Sequence, residues 1–439
     1  MISMNALISE FDQVSTDQWN QKIIADLKTQ DPQDELSTED EDGIQHLPFY
    51  QKTSLQNKEL TRQIQNVQRK SHSWKYIQQF PVDYPDLEKN IKKSLSSGVD
   101  EVVISNIEEL DDLNRRLKTS PKDFHHLQLH LNRLANNSKP KMIFCDPIGE
   151  MLKTGKINFD EMKNLEQLFQ KRLNQLKPDN FLLLDGSIYK NAGATIVQEL
   201  VLLLRHSVEY MDQLTKSGFT AEAVARSFTF KVAYGNSFFT EIAKTRALRY
   251  LIKKIYQAYD TDAIVKVWGE SSSYWLAHKD PYTNLLRSTS QCMSASIGGC
   301  DLISCLPFDA VQKASPFGYR MSKNISLILK HESFFNKVND LGGGSYYIEN
   351  LSCALVDSAW KLFLDSEEAG ASFFQDIESG KIGDQLTQSH QKRMENFKKN
   401  QKSMVGVNKY ETEEADTLTV ETVKNKGISP RILSKSIAS

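Results

Sequence analysis

From about residue 100 the chain alternates short apolar or β-branched runs with longer stretches of helical periodicity. The short runs are Glu101–Ser105, His125–Leu131, Met142–Asp146, Phe181–Asp185, Phe228–Tyr234, Ile264–Glu270 and Leu302–Phe308, each near the length of an ordinary strand. Between them, Ile196, Leu200, Leu203, Leu204, Val208 and Met211 recur at helical spacing behind a Thr195/Gln198 capping-box pattern. Gly218 can terminate that helix, and Thr220 can cap the next. Asn236 is expected to cap a further helix with Phe238, Ile242, Leu248, Ile252 and Ile255 on one face, although Glu241, Thr245 and Arg249 intrude into the same arc. Two more helices are expected over residues 346–368 and 382–402.

Strands that alternate with helices imply a mostly parallel sheet. Seven runs, with an eighth strand expected near Lys337–Leu341, favour an α/β fold closed as a (β/α)8 TIM barrel over residues 51–410. No GxGxxG or GxxxxGK[ST] opens any helix, which argues against dinucleotide and P-loop chemistry. Gly342-Gly343-Gly344 reads as a tight turn.

The flanks differ. Residues 1–50 are polar, with Phe11, Trp19, Ile23, Ile24 and Phe49 as spaced anchors around seven acidic residues between Asp31 and Asp42. This pattern predicts an extended N-terminal arm lying on another surface, with Phe11 and Trp19 inserted there. Residues 411–439 read as a polar, extended C-terminal tail.

A formal net charge of -2, from 54 basic and 56 acidic residues, excludes a strong overall attraction to nucleic acid or acidic membranes. The first residues have neither a basic start nor an apolar run, and nothing approaches the ~20 apolar residues of a membrane span. Cys145, Cys292, Cys300, Cys305 and Cys353 form no CxxC pair and read as small core residues of a cytoplasmic protein.

In such a barrel the chemistry sits where strands end. The candidates there are Asp146, Asp185, Tyr234, Glu270 and Asp309, though ordinary turns also call for polar residues. His126 and His130 share a strand face but lack further ligands for zinc. His331-Glu332 starts an HExxH pattern that Phe335 breaks. No metal site is expected, and no GxSxG is present. The residues alone define a barrel without an evident catalytic set.

At FTFKVAYGNSFFTEIAKTRALRYL (residues 228–251) the sequence resembles the adenosylcobalamin-dependent acyl-CoA mutases, methylmalonyl-CoA mutase above all. STDQWNQKIIADLK, EDGIQHLPFY, PYTNLLRSTSQCMSASIGGCDLISCLPFD, LILKHESFFNKVNDLGGGSYYIENL and VGVNKY fit other segments of that family in the same order. The resemblance spans about residues 10–410 and implies a barrel that works in radical interconversion of (R)-methylmalonyl-CoA and succinyl-CoA.

The departures from the family bear on function. Its catalytic strand reads RCHTQTSGYSLT; anchored on Tyr274, the family's substrate-binding His falls here on Trp268 and its Gln on Glu270. The family's substrate-carboxylate Arg, anchored on the FF pair, falls on Ser227. Indole has one donor and no acceptor and cannot replace imidazole. Trp268 is expected to point into the barrel and be buried, because Val267 and Gly269 must face the other way. The DxHxxG cobalt-ligand loop has no match either: the only D-x-H is Asp123-Phe124-His125, with Gln128 at the glycine position. The resemblance thus implies a chain that lacks the C-terminal cobalamin-binding domain.

These features resemble the small (β) subunit of a heterodimeric mutase: non-catalytic, with no catalytic, cofactor or metal residues of its own. It would support a larger catalytic α subunit that binds adenosylcobalamin and substrate. The alternative is the catalytic barrel of a split acyl-CoA mutase working with a separate cobalamin-binding subunit. A free-standing barrel enzyme using Asp146, Asp185 and Glu270, and a transient chaperone of the mutase, are the rivals from other classes.

Overall fold

The computed structural model describes residues 14–28, 35–55, 57–107, 113, 117, 127–131, 143–175, 180–411 and 427–438. The chain divides into two compact units, residues 1–54 and 55–439.

The larger unit holds a closed barrel of eight parallel strands in sequential order. They are β1 (Lys75–Pro81), β2 (Glu101–Ile107), β3 (Leu127–Leu131), β4 (Ile143–Cys145), β5 (Leu182–Asp185), β6 (Phe228–Tyr234), β7 (Val267–Ser271) and β8 (Leu302–Ser304). β8 closes on β1 through Leu302↔Lys75 and Ser304↔Ile77, and on β7 through Leu302↔Trp268. Closure leaves no free sheet edge to protect.

Seven strands lie where the apolar runs predict them. The eighth does not. Lys337–Leu341 holds the end of a single 3-10 turn (Phe335–Lys337) and a loop, with Val338 half exposed. The missing strand is β1, whose Gln78 and Gln79 hide its strand character. Both are accounted for by the pleat: Gln78 points outward and donates to the Tyr319 carbonyl, and Gln79 points into the barrel.

The helices answer to local signals. Thr195 and Gln198 form the predicted capping box at the head of Ile196–Lys216, and Thr220 caps Ala221–Ser227. The helix Phe238–Ala258 is preceded by Ser237 in the cap position rather than by Asn236. Its intruding polar residues serve the strand ends they pack on. Glu241 accepts from the Gly235 amide at 2.9 Å, Thr245 bonds the Tyr234 hydroxyl, and Arg249 reaches Asp301 at 2.7 Å. A buried backbone group left unpaired would cost about 1–3 kcal/mol, so polar residues in this arc fit the fold. No described helix is long and apolar enough to cross a membrane.

Two flanking expectations are corrected. The arm is not simply extended. It contains the helix Thr16–Leu27, opened by a Ser15/Gln18 capping box, and a two-stranded ribbon pairing Thr38–Glu39 with Gln45–His46. Trp19 stacks on Phe49 at 5.3 Å, so part of its ring is spent inside the arm; Phe11 lies outside the described residues. Of the expected tail, residues 412–426 lie outside the described residues, and the end that is described is not simply extended. Leu433–Ala438 is helical, and Leu433 is fully buried against Tyr274, Ala277, Phe397 and Met404. Its few apolar residues suffice because they enter a groove already lined with rings.

Candidate functional site

The barrel interior is built in two layers that follow from the pleat. Residues two apart on one strand face the same side, and paired neighbours in a parallel sheet share a face. The deeper layer is apolar: Ile77, Val103, Phe144, Leu183, Trp268 and Leu302 form one buried cluster. Two residues further along the strands, Gln79, Asp185, Glu270 and Ser304 follow Ile77, Leu183, Trp268 and Leu302. Lys231 joins this upper layer from β6, paired in register with Asp185 on one side and Trp268 on the other.

The upper layer is a closed network. Lys231 Nζ lies 3.0 Å from Glu270 Oε2 and 3.7 Å from Asp185 Oδ2. It also stands 4.9 Å above the centre of the Trp268 ring, a cation–π geometry. Glu270 Oε1 accepts from Gln79 Nε2 and from Ser304 Oγ, the latter at 3.2 Å. Trp268 Nε1 donates to Ser304 Oγ at 2.8 Å. Burial alone would lower the lysine pKa, but Asp185 and Glu270 outweigh it and hold Lys231 above its ordinary value. Burial likewise works to raise Asp185, and Lys231 and its other partners hold it below the usual range. His130, beside this layer, is kept neutral: burial first, then the charge of Lys153, lowers its pKa to about 4.

Each strand-end candidate has a defined place, and most are already engaged. Asp146 Oδ1 accepts from the Gly149 amide, from Tyr210 Oη and from His206 Nε2 at 2.9, 2.8 and 3.0 Å; Oδ2 accepts from the Asp185 amide at 3.0 Å. Burial would raise its pKa, but His206 and these donors bring it to about 2. It is the N-cap of the helix Pro147–Thr154. Asp185 accepts from both the amide and the hydroxyl of Ser187. Tyr234 faces outward and bonds Thr245 and Cys300. Asp309 accepts from the Ser315 amide at 3.0 Å, and its carboxylate lies against the first turn of the helix Pro316–His331. The helix end after β8 is where barrel enzymes commonly seat phosphate, and here it carries the chain's own negative charge.

Of the three degenerate positions, Trp268 and Glu270 come together inside the barrel. Trp268 is fully buried. Ser227 does not join them. It ends the helix before β6, at the opposite end of that strand from the mouth, and its hydroxyl donates to the Val224 carbonyl at 2.6 Å. Sequence reasoning passed over Lys231, the centre of the network. The signal was present, since a lone lysine in the apolar strand FTFKVAY must face a polar layer or be ruinously buried. Among the described residues no three His, Cys, Asp or Glu side chains are grouped to hold a metal ion.

Comparison with known proteins agrees with the barrel. A family profile described as methylmalonyl-CoA mutase matches residues 140–435. The chain belongs to the methylmalonyl-CoA mutase family. It is 29% identical to the methylmalonyl-CoA mutase small subunit of Porphyromonas gingivalis, over 92% of this chain and 71% of that protein. Against the small subunit of Propionibacterium freudenreichii subsp. shermanii the identity is 35%, over 46% of this chain and 32% of the relative. Against the methylmalonyl-CoA mutase of Rhizobium meliloti it is 29%, over 61% and 38%. The chain therefore spans well under half of the last two relatives. The family match covers β4 to β8, and with them Lys231, Trp268, Glu270 and Ser304.

Proposed function

We propose that this chain is the non-catalytic small subunit of a two-chain methylmalonyl-CoA mutase, paired with a larger subunit that binds adenosylcobalamin and isomerises (R)-methylmalonyl-CoA and succinyl-CoA. The observation that carries the reading is the filled barrel interior. Trp268 occupies the aligned position of the family's substrate-binding His, is fully buried, and spends its only donor on Ser304. Glu270, at the aligned Gln position, is bound by Lys231, Gln79 and Ser304.

The residues at this mouth do not fit a bound acyl-CoA ester or the corrin cofactor. A substrate carboxylate or carbonyl needs donors free to turn toward it. Here the Trp268 and Gln79 donors are directed at neighbouring side chains, and Lys231 is held between two carboxylates. Opening the network would leave buried charge uncompensated, at about 3–5 kcal/mol for a broken pair. The chain's contribution is then structural: an assembly partner that binds only the folded large subunit stabilises it by mass action.

The names of the relatives and the order of the barrel support the pairing. The direct test is purification of this chain from its own cell, followed by cobalamin titration. Co-elution with a larger mutase chain in one-to-one ratio, with no cobalamin binding by this chain alone, is the expected result. Elution with a small cobalamin-binding protein and no second barrel would instead mark a split enzyme.

A further inference from the structure

Residues 427–437 run along the rim at the C-terminal ends of the strands. The Ile428 amide donates to the Leu152 carbonyl at 2.9 Å, on the helix that follows β4. The Arg431 amide donates to the Asn191 carbonyl at 2.7 Å, on the segment that follows β5. Ser434 Oγ donates to the Leu276 carbonyl at 3.0 Å, just beyond β7. The Arg431 guanidinium reaches Thr387 Oγ1 at 2.7 Å on the helix Lys381–Lys398. One short segment thus bonds the exits of three strands that are not all neighbours.

The same exits are tied to one another beneath it. Ser272 Oγ donates to Asn191 Oδ1 at 2.7 Å, linking the β7 and β5 exits. Tyr274 Oη meets His390 Nδ1 at 2.7 Å and accepts from Arg393 at 3.0 Å. Leu433 closes over this layer with no exposed surface, against Tyr274, Ala277, Phe397 and Met404. Entry into the groove is sterically specific. A Cβ on Gly427 would lie 1.9 Å from the Lys153 carbonyl oxygen, so only glycine permits the approach.

We propose that residues 427–437 are a strap that clamps the β4, β5 and β7 exits into one rigid rim, so that this side of the barrel mouth opens only when the strap leaves. The physical basis is linkage. Each of the three segments is a short, largely buried stretch outside the barrel strands, and units of this kind can open at less than the global free energy. Shared backbone hydrogen bonds and one common apolar plug make opening of any one loop require release of the others. The strap's own fixation rests on Gly427 at one end and Leu433 near the other.

Hydrogen exchange on the full-length chain tests this, comparing the unaltered protein with Gly427→Ala and with Gly427→Ala/Leu433→Asp. Exchange in residues 148–154, 188–194 and 272–277 should rise together, tenfold or more in the double variant. Exchange in β6 and in the helix Phe238–Ala258 should not change, which separates strap release from barrel unfolding. Fast exchange of residues 428–437 with the three loop segments still protected would overturn the proposal, since the segment would then merely lie on the rim. Persistent protection of residues 428–437 in the double variant would overturn it equally, because the assigned anchors would not be what holds the strap. General loss of protection in β6 would also count against it, by making the segment part of the barrel's global stability.

Discussion

The indole N–H of Trp268 on β7 donates to Ser304 Oγ on β8 at 2.8 Å, and the Ser304 hydroxyl in turn donates to Glu270 Oε1 at 3.2 Å. That bond couples the apolar floor of the barrel to its polar upper layer. It also fixes the direction of the serine hydroxyl and so the side of Glu270 left for Lys231. Replacing Trp268 with alanine removes a fully buried indole and should destabilise the barrel by ~3–5 kcal/mol in urea unfolding. Trp268→His should lose less and gain no mutase activity, because Glu270, Ser304 and Lys231 remain locked to one another. Turnover by the isolated Trp268→His chain would mean that the rest of the site is functional after all.

Lys231 balances two carboxylates. Lys231→Met should cost ~3–5 kcal/mol, since Asp185 and Glu270 would be left facing each other without their cation. Adding Glu270→Gln should recover part of that loss, because the second variant removes one of the two uncompensated charges. Denaturant melts of the two single variants and the double variant measure the coupling. Additive losses would show that the three residues do not act as a unit.

His130 predicts a pH dependence with a definite sign. Its folded pKa of about 4 lies below the ordinary 6.5, so the unfolded chain takes up a proton that the folded chain refuses. Stability should therefore fall as pH drops from about 6.5 toward 4, with no further contribution from this residue below that. A depression of this size corresponds to roughly 3 kcal/mol. Lys153, Asp185, Lys231 and Asp146 all act on the same ring, so the check is a difference. The stability–pH curve of His130→Gln should be flatter than that of the unaltered chain between pH 4 and 6.5, and parallel curves would remove the assignment.

The arm is expected to serve assembly. The helix Thr16–Leu27 buries none of its residues, and Ile24 and Leu27 are exposed. Deleting residues 1–30 should weaken binding to the large subunit at least tenfold, ~1.4 kcal/mol, while thermal unfolding of the barrel stays unchanged. Equal affinity of the truncated chain would dismiss the arm from the interface.

The parts of the fold legible in the sequence were those where one physical signal dominates. Runs such as FLLLD and FTFKVAY declare buried parallel strands, and Thr195 with Gln198 declares a helix start. β1 was missed because two glutamines interrupt it, and their partners, Tyr319 on one side and Glu270 on the other, are more than 180 residues away in sequence. The acidic strand ends were correctly picked as polar positions at the mouth. What could not be read was whether each carboxylate is free, because that depends on contacts such as His206 with Asp146 and Lys231 with Glu270. The strap was hidden for a similar reason: Ile428 and Leu433 look too sparse to anchor anything until the groove of Tyr274, Phe397 and Met404 is in place.

The central claim is that catalysis in the assembled mutase belongs wholly to the other subunit. It is tested by methylmalonyl-CoA turnover in two reconstituted complexes that differ only in the large subunit, one unaltered and one lacking its substrate-binding His. Each contains this chain unaltered in one-to-one ratio. The account predicts full activity in the first and turnover reduced to that of the altered large subunit alone in the second. Activity retained in the second complex, above that background, would place working chemistry on this chain and contradict the account.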